Sequence, residues 1–245
     1  SVLGDLIPKK FGSTDYFTYY YWEEGETLYK LDNFEIYNKF YNKILNIPNP
    51  EIEIPKEIFN KFYIDKTEKR IDNFTKKYGK NYLEDEFCIN GINYPSLINI
   101  LSKIKIEPEN LRTYYDQFHG DMQFDNVVYN SKEDKFTYID WRESFGGEVK
   151  GGDIYYDVAK MYGGCIIPYN LVKDDKNIQF YESIRELKNN MIEFQFPTLP
   201  NLNKFREYFE KTISYNFGFN RVKLITAIIF LNMAPLHSEK FGKAL

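Results

Sequence analysis

The feature that most limits how this chain can fold is a pair of strand-like runs, residues 127–129 and 136–139, joined by the polar stretch Ser131-Lys132-Glu133-Asp134-Lys135. Val127, Val128 and Tyr129 on one side and Phe136, Thr137, Tyr138 and Ile139 on the other are all β-branched or aromatic, and the loop between them is of hairpin length. The two runs are therefore expected to pair antiparallel. A five-residue loop pairs Asn130 with Phe136, and counting back along both strands sets Asn126 opposite Asp140. Paired residues lie about 4.5 to 5.5 Å apart at Cα, near enough for both side chains to grip one ion where the strand ends turn them inward.

Asn126 and Asp140 offer hard oxygen ligands, few enough that an ion would keep places for water and phosphate, which is how Mg²⁺ is usually held. Asp121 stands five residues before Asn126, in the loop that enters the hairpin. A carboxylate there lies beside the ion without ligating it, where an acceptor hydroxyl needs a group to orient it and take its proton. Asp121 is the candidate catalytic base.

Around this centre the apolar spacing predicts mostly helix. Residues 32–45 carry Phe34, Tyr37, Phe40, Tyr41, Ile44 and Leu45 at helical intervals, stopped by Pro48 and Pro50. Residues 58–78 form a charged helix burying Phe59, Phe62, Tyr63, Ile71 and Phe74 and ending at Gly79. Further helices are expected over 94–106, over 153–162 with Gly163-Gly164 as the stop, and over 178–194, 202–214 and 220–233. Residues 16–22, dense in aromatics, read as a buried strand followed by a turn. The fold class is thus α+β, mostly helical, one domain around a small β element.

Composition narrows the function. A net charge of −4 argues against a nucleic-acid reader or an anionic-membrane binder, which carry basic patches. Cys88 and Cys165 are the only cysteines, far apart, so a structural zinc site is not expected. The apolar run 224–234 is shorter than the ~20 residues of a membrane helix, and the chain reads as cytoplasmic. The 22 Tyr and 21 Phe fit a compositional bias better than a dedicated stacking surface.

The pattern His119-x-Asp121-x-x-x-x-Asn126, then Ile139-Asp140-Trp141 after a short hairpin, resembles the catalytic loop and metal-binding aspartate of the aminoglycoside phosphotransferase and choline kinase families. Gly152-Asp153-Ile154-Tyr155-Tyr156-Asp157-Val158-Ala159 is similar to a further stretch of those families, with Ile154 in place of proline and Val158 in place of leucine. The resemblance implies a kinase-like large lobe, ATP as co-substrate, Mg²⁺ on Asn126 and Asp140, and Asp121 as base toward a small-molecule hydroxyl: choline, an amino alcohol, a sugar or an aminoglycoside. It makes His119 a strut of the loop, Asp153 a helix cap, and Asp157 a brace of the active-site loop. Residues 16–28 resemble the last small-lobe strand and hinge of those families, which implies that Tyr21, Trp22 and Glu23 stand near the adenine.

The same resemblance expects a glycine-rich cover and a strand lysine for the phosphates, and no GxGxxG occurs. Lys9 and Lys10 stand immediately before the hinge strand, a poor place for that lysine. Residues 1–25 are accordingly expected to be the remnant of a small lobe with its hinge and 26–245 the catalytic lobe, a piece of a longer polypeptide, with weak or no activity alone. The alternatives are a kinase-like binding module that phosphorylates nothing, or one domain of a larger bifunctional biosynthetic protein. Lys66, Arg70, Tyr114 and His237 are conceivable substrate contacts for which a solvated or core role is the better reading. The acceptor and the oligomeric state are not legible.

Overall fold

A computed structural model of the chain describes residues 6–46, 54–104, 113–115, 118–147, 151–183 and 190–245. The fold is α+β, and its residues cluster into two compact units, each assembled from three stretches of chain: 1–54, 111–166 and 198–226 in the first, 55–110, 167–197 and 227–245 in the second.

In the first unit, aromatic residues at helical spacing build the core. The helix Phe34–Leu45 starts at Asn33, whose Oδ1 accepts the backbone N–H groups of Glu35 and Ile36 at 3.0 and 3.2 Å. It buries Tyr37, Phe40, Tyr41 and Ile44. Phe40 meets Phe124 and Tyr138 with ring centroids 6.1 and 5.6 Å apart, while Tyr37 and Tyr41 pack on Phe205 and Phe209 of the helix Pro200–Thr212 at 5.5 and 5.1 Å. One helix thus ties the hairpin to the C-terminal part of the unit through edge-to-face and stacked rings.

The hairpin is present, with strands Val127–Asn130 and Lys135–Tyr138 and a third strand, Glu26–Thr27, on the outer side of the first. Its register differs by one residue from the expected one. Asn130 pairs with Lys135, and Ile139 N donates to Asn126 O at 2.9 Å, so Ile139 and not Asp140 stands opposite Asn126. The cause is local: Asn130 Oδ1 accepts from Lys132 N and Glu133 N at 3.0 and 3.3 Å, and Asp134 adopts φ 54°. That Asx turn closes the loop in four residues, 131–134, and returns Lys135 to the strand.

Two further expectations change in this unit. The strand predicted over 16–22 is only Thr18–Tyr20, paired with Lys10–Ser13, and it is exposed rather than buried, with Tyr16 and Trp22 88% and 91% accessible. A run that is aromatic at every position but Thr18 offers no alternation by which a strand could choose a buried face. The helix expected to stop at Gly163-Gly164 runs from Ile154 to Ile166. Gly164 is needed for close approach: a Cβ there would stand 2.8 Å from the Tyr29 hydroxyl, which donates to Gly164 O at 2.9 Å.

The second unit contains a four-stranded sheet in the order Gln179–Ser183, Asn190–Gln195, Phe87–Ile89, Ile92–Tyr94. This overturns the helix expected over 178–194. Asn190 and Ile192 are buried while Glu193 is exposed, a two-residue alternation, and Asn90 bonds both the N–H and the carbonyl of Phe194 at 2.9 and 3.1 Å. The helix expected over 94–106 is the shorter Leu97–Lys103, N-capped by Ser96 and preceded by the strand Ile92–Tyr94. The charged helix of this unit runs as Lys56–Phe59, a π-turn Asn60–Asp65, and Lys66–Tyr78, with Gly79 at its C-cap. Phe74, Tyr82, Phe87, Ile192 and Ala234 form the local core.

Residues 219–236 are apolar enough by length and composition to cross a membrane, with a mean hydropathy of 1.2 over 18 residues. Val222, Ile225, Thr226, Ile228, Ile229 and Asn232 along it are buried in protein, and 39% of the span is buried in all.

Candidate functional site

The loop from Phe118 to Asn126 is held from below by one carboxylate. Asp157, fully buried on the helix Ile154–Ile166, accepts the backbone N–H of His119 at 2.8 Å and of Gly120 at 2.7 Å. Burial pushes its carboxyl up to about 7, against the two N–H groups, which hold it down. Gly120 has φ +83°, and a Cβ there would fall 2.4 Å from Arg142 Cβ, so the turn accepts no larger residue without strain. At the start of the same helix Asp153 Oδ1 accepts Tyr155 N at 2.9 Å, and Asp153 Oδ2 lies 3.5 Å from Arg221.

His119 spans the loop and the end of the hairpin. Its Nδ1 accepts the backbone N–H of Asp121 at 3.1 Å, so the ring proton sits on Nε2 and is donated to Ile139 O at 2.9 Å. Burial pushes its pKa down to about 4, which keeps the ring neutral and able to accept. The ring thus ties the loop at Asp121 to the end of the hairpin at Ile139.

Asp121 is partly exposed, and its Oδ1 lies 2.7 Å from the Lys160 ammonium, whose side chain is only 8% exposed. Asn126 is buried and its Nδ2 donates to Asp121 O at 2.9 Å, which directs its one remaining polar atom, Oδ1, away from that bond. Asp140 adopts φ 61°, the left-handed conformation that aspartate tolerates and most residues avoid. Asp140 follows the Ile139–Asn126 pair by one residue, at the mouth of the hairpin. Among the described residues no three His, Cys, Asp or Glu side chains converge. A divalent ion at this mouth would rest on Asn126 and Asp140 alone among the candidates and keep most places for other oxygens, as Mg²⁺ does.

Two cavities of the first unit share Asp140 and Trp141 in their walls. The larger, about 670 Å³, is lined by Pro8, Tyr20, Tyr21, Trp22, Glu23, Gly25, Thr27, Val128 and Ile139 as well. The smaller, about 360 Å³, adds Asp121, Arg142, Glu143 and Ser144. The predicted hinge residues Tyr21, Trp22 and Glu23 therefore share a cleft with Asp140. Glu23 is anchored there by Lys135 and Thr137 at 3.4 and 3.3 Å. Lys9 lies with its ammonium 5.6 Å from the Tyr21 ring centroid.

Lys66, Arg70 and His237 belong to the second unit and line neither cavity, and the side chain of Tyr114 lies outside the described residues. The sequence reading missed Lys160. Its signal was available: Asp157 and Lys160 are the only charged residues in the otherwise apolar run 154–166.

No family model matches the chain, and no curated protein matches its sequence. Among solved structures, it is similar to a choline kinase from Cryptosporidium parvum Iowa II, with a TM-score of 0.42 and 12% identity, over 96% of this chain and 68% of that one.

Proposed function

We propose that this site transfers the γ-phosphoryl group of ATP to a hydroxyl of a small molecule. The observation that carries the reading is the sharing of walls: Asp140 borders both cavities, whereas Asp121 borders only the smaller. The larger cleft, with its aromatic lining, has the volume of a nucleotide-sized ligand site. In this reading the purine lies along Tyr21, Trp22 and Glu23, which line that cleft. The smaller one takes the acceptor, and the two ligands meet at Asp140.

In this reading the acceptor hydroxyl lies against the Asp121 carboxylate, with Lys160 holding Oδ1 and leaving Oδ2 to accept the proton. As that proton passes to Asp121, the acceptor oxygen bonds to the γ-phosphorus and the bond from phosphorus to the β,γ-bridging oxygen breaks, releasing ADP. The proton then leaves Asp121 to solvent. Asn126 and Asp140 would hold Mg²⁺, which supplies neutralisation of charge on the phosphate oxygens. His119 and Asp157 hold the loop so that Asp121 needs no rearrangement at the moment of reaction.

The test is ADP release by the full chain against a panel of small alcohols with Mg²⁺ present, repeated with Asp140→Asn. Acceptor-dependent ADP release that Asp140→Asn abolishes supports the reading. Release that Asp140→Asn leaves unchanged refutes it.

A further inference from the structure

We propose that the open edge of the sheet in the second unit, at the strand Ile92–Tyr94, and the helix Leu97–Lys103 that follows it, pair with the same elements of a second copy of this chain. Among the described strands, Ile92–Tyr94 is the last of its sheet and has one neighbour, Phe87–Ile89. The two are joined by Asn90 and Gly91 at φ 48° and 81°, the two-residue hairpin turn whose central residues both take positive φ. The closing residues of such a turn, Ile89 and Ile92, exchange both backbone bonds. By alternation the N–H and C=O of Asn93 then point to the open edge.

The side chains are those of an interface and not of a guarded edge. Ile92, Tyr94 and Ile98 are 57, 41 and 52% exposed. Leu97, Ile100, Leu101 and Ile104 recur at the spacing of an apolar helical stripe, yet none of them is buried. Edge strands that stay unpaired are commonly guarded by lysine or other charges. Residues 87–102 contain no Asp, Glu, Lys or Arg, in a chain that is 28% charged. Depletion of charge with retention of aromatic and aliphatic side chains marks the centre of protein interfaces.

A second copy satisfies this surface where lipid does not. Hydrocarbon cannot bond the N–H and C=O that Asn93 turns outward, and a helix lying on a membrane carries a basic face, whereas this one has Lys103 alone. Antiparallel pairing about a two-fold axis at Asn93 exchanges two backbone bonds between the two Asn93 residues and sets Ile92 of each copy opposite Tyr94 of the other. Apolar side chains then meet across the axis, and a strand set against itself brings no like charges together because it has none. With three strongly exposed apolar side chains per copy, the buried area falls at the low end for specific interfaces, about 1,200 Å² in total, so the dimer is weak, with a Kd of about 1 to 100 µM.

Sedimentation velocity of the full chain from about 1 to about 200 µM tests the proposal. The wild type is expected to shift from monomer towards dimer across that range, and the Asn93 amide to exchange with deuterium at least twofold more slowly at the upper end. Ile92→Lys, at a position open to solvent, is expected to keep the monomer folded and to weaken association at least tenfold. Ile92→Lys combined with Tyr94→Glu sets opposite charges across the axis, and should associate at least fivefold more tightly than Ile92→Lys combined with Tyr94→Lys. A wild type that stays monomeric throughout overturns the proposal, and its capture by phosphatidylcholine vesicles would assign the face to lipid instead. A dimer whose Asn93 amide exchanges as fast as in the monomer, or whose Kd Ile92→Lys leaves within twofold, also overturns it.

Discussion

The side-chain amide of Asn126 donates to the backbone carbonyl of Asp121 across 2.9 Å, so the candidate metal ligand and the candidate base are fixed to each other by a bond that involves neither reactive group. The Asp121 carboxylate, whose Oδ1 pairs with Lys160, and Asn126 Oδ1 take no part in that bond. The five-residue spacing of the two positions thus sets a geometry as well as a motif.

Asn126→Asp should cost stability even though it keeps a hard oxygen ligand. The new carboxylate cannot donate to Asp121 O and sets an oxygen against it in a buried place, a loss on the order of 1–3 kcal/mol. Thermal unfolding in EDTA should show the fall, and added Mg²⁺ should recover part of it by occupying the extra charge. An unchanged melting temperature in EDTA contradicts this account of the bond.

His119 should make the protein less stable as acid is added. Its folded pKa is held at about 4 while the unfolded ring titrates near 6.5, so between those values the unfolded state binds more protons and stability falls as pH drops. The loss approaches about 3 kcal/mol by pH 4 at the upper limit. Urea unfolding of wild type and His119→Gln at a series of pH values isolates the effect: the wild type's advantage should shrink as pH falls through that window. A constant difference refutes it.

Asp157 should act in the opposite sense. Its folded pKa, raised to about 7, lies above the unfolded value near 3.9, so its contribution is complete below the unfolded value and is lost as pH rises through 7. Asp157→Asn can accept only one of the two N–H groups of His119 and Gly120 and should be destabilising by about 1–3 kcal/mol at low pH. That penalty should diminish toward pH 7 in the same urea series. A penalty that grows with pH contradicts the assignment.

What the sequence made legible was local. The hairpin follows from two apolar runs and a polar loop, and the helix Phe34–Leu45 from its spacing and from Asn33. The register escaped because Asn130 closes the loop one residue early through its own side chain, a choice that loop length alone does not reveal. Asp140, one residue beyond the pair of Ile139 with Asn126, still lines both cavities. The sheet that includes Asn190–Gln195 escaped because the run also fits helix, while its strand is fixed by pairing on both sides, with Gln179–Ser183 and with Phe87–Ile89 about a hundred residues away. The Lys160–Asp121 pair is likewise a contact of the folded chain between residues 39 positions apart.

Gly164→Ala tests the reinterpretation of the glycine pair. If the glycines only ended a helix, alanine would be neutral or stabilising. Since a Cβ at 164 would stand 2.8 Å from the Tyr29 hydroxyl, the substitution should cost about 1–3 kcal/mol by crowding. Gly164→Ala combined with Tyr29→Phe should recover part of the loss in thermal unfolding, and no recovery would place the clash elsewhere.

The most direct test of the central claim is transfer of a labelled γ-phosphoryl group from ATP to an acceptor hydroxyl, measured with wild type and Asp121→Asn under saturating acceptor. The account predicts a labelled phosphate ester from the wild type and a fall in kcat of about 10²- to 10⁴-fold in Asp121→Asn, with the variant still folded. A labelled ester formed by Asp121→Asn at the wild-type rate would contradict it.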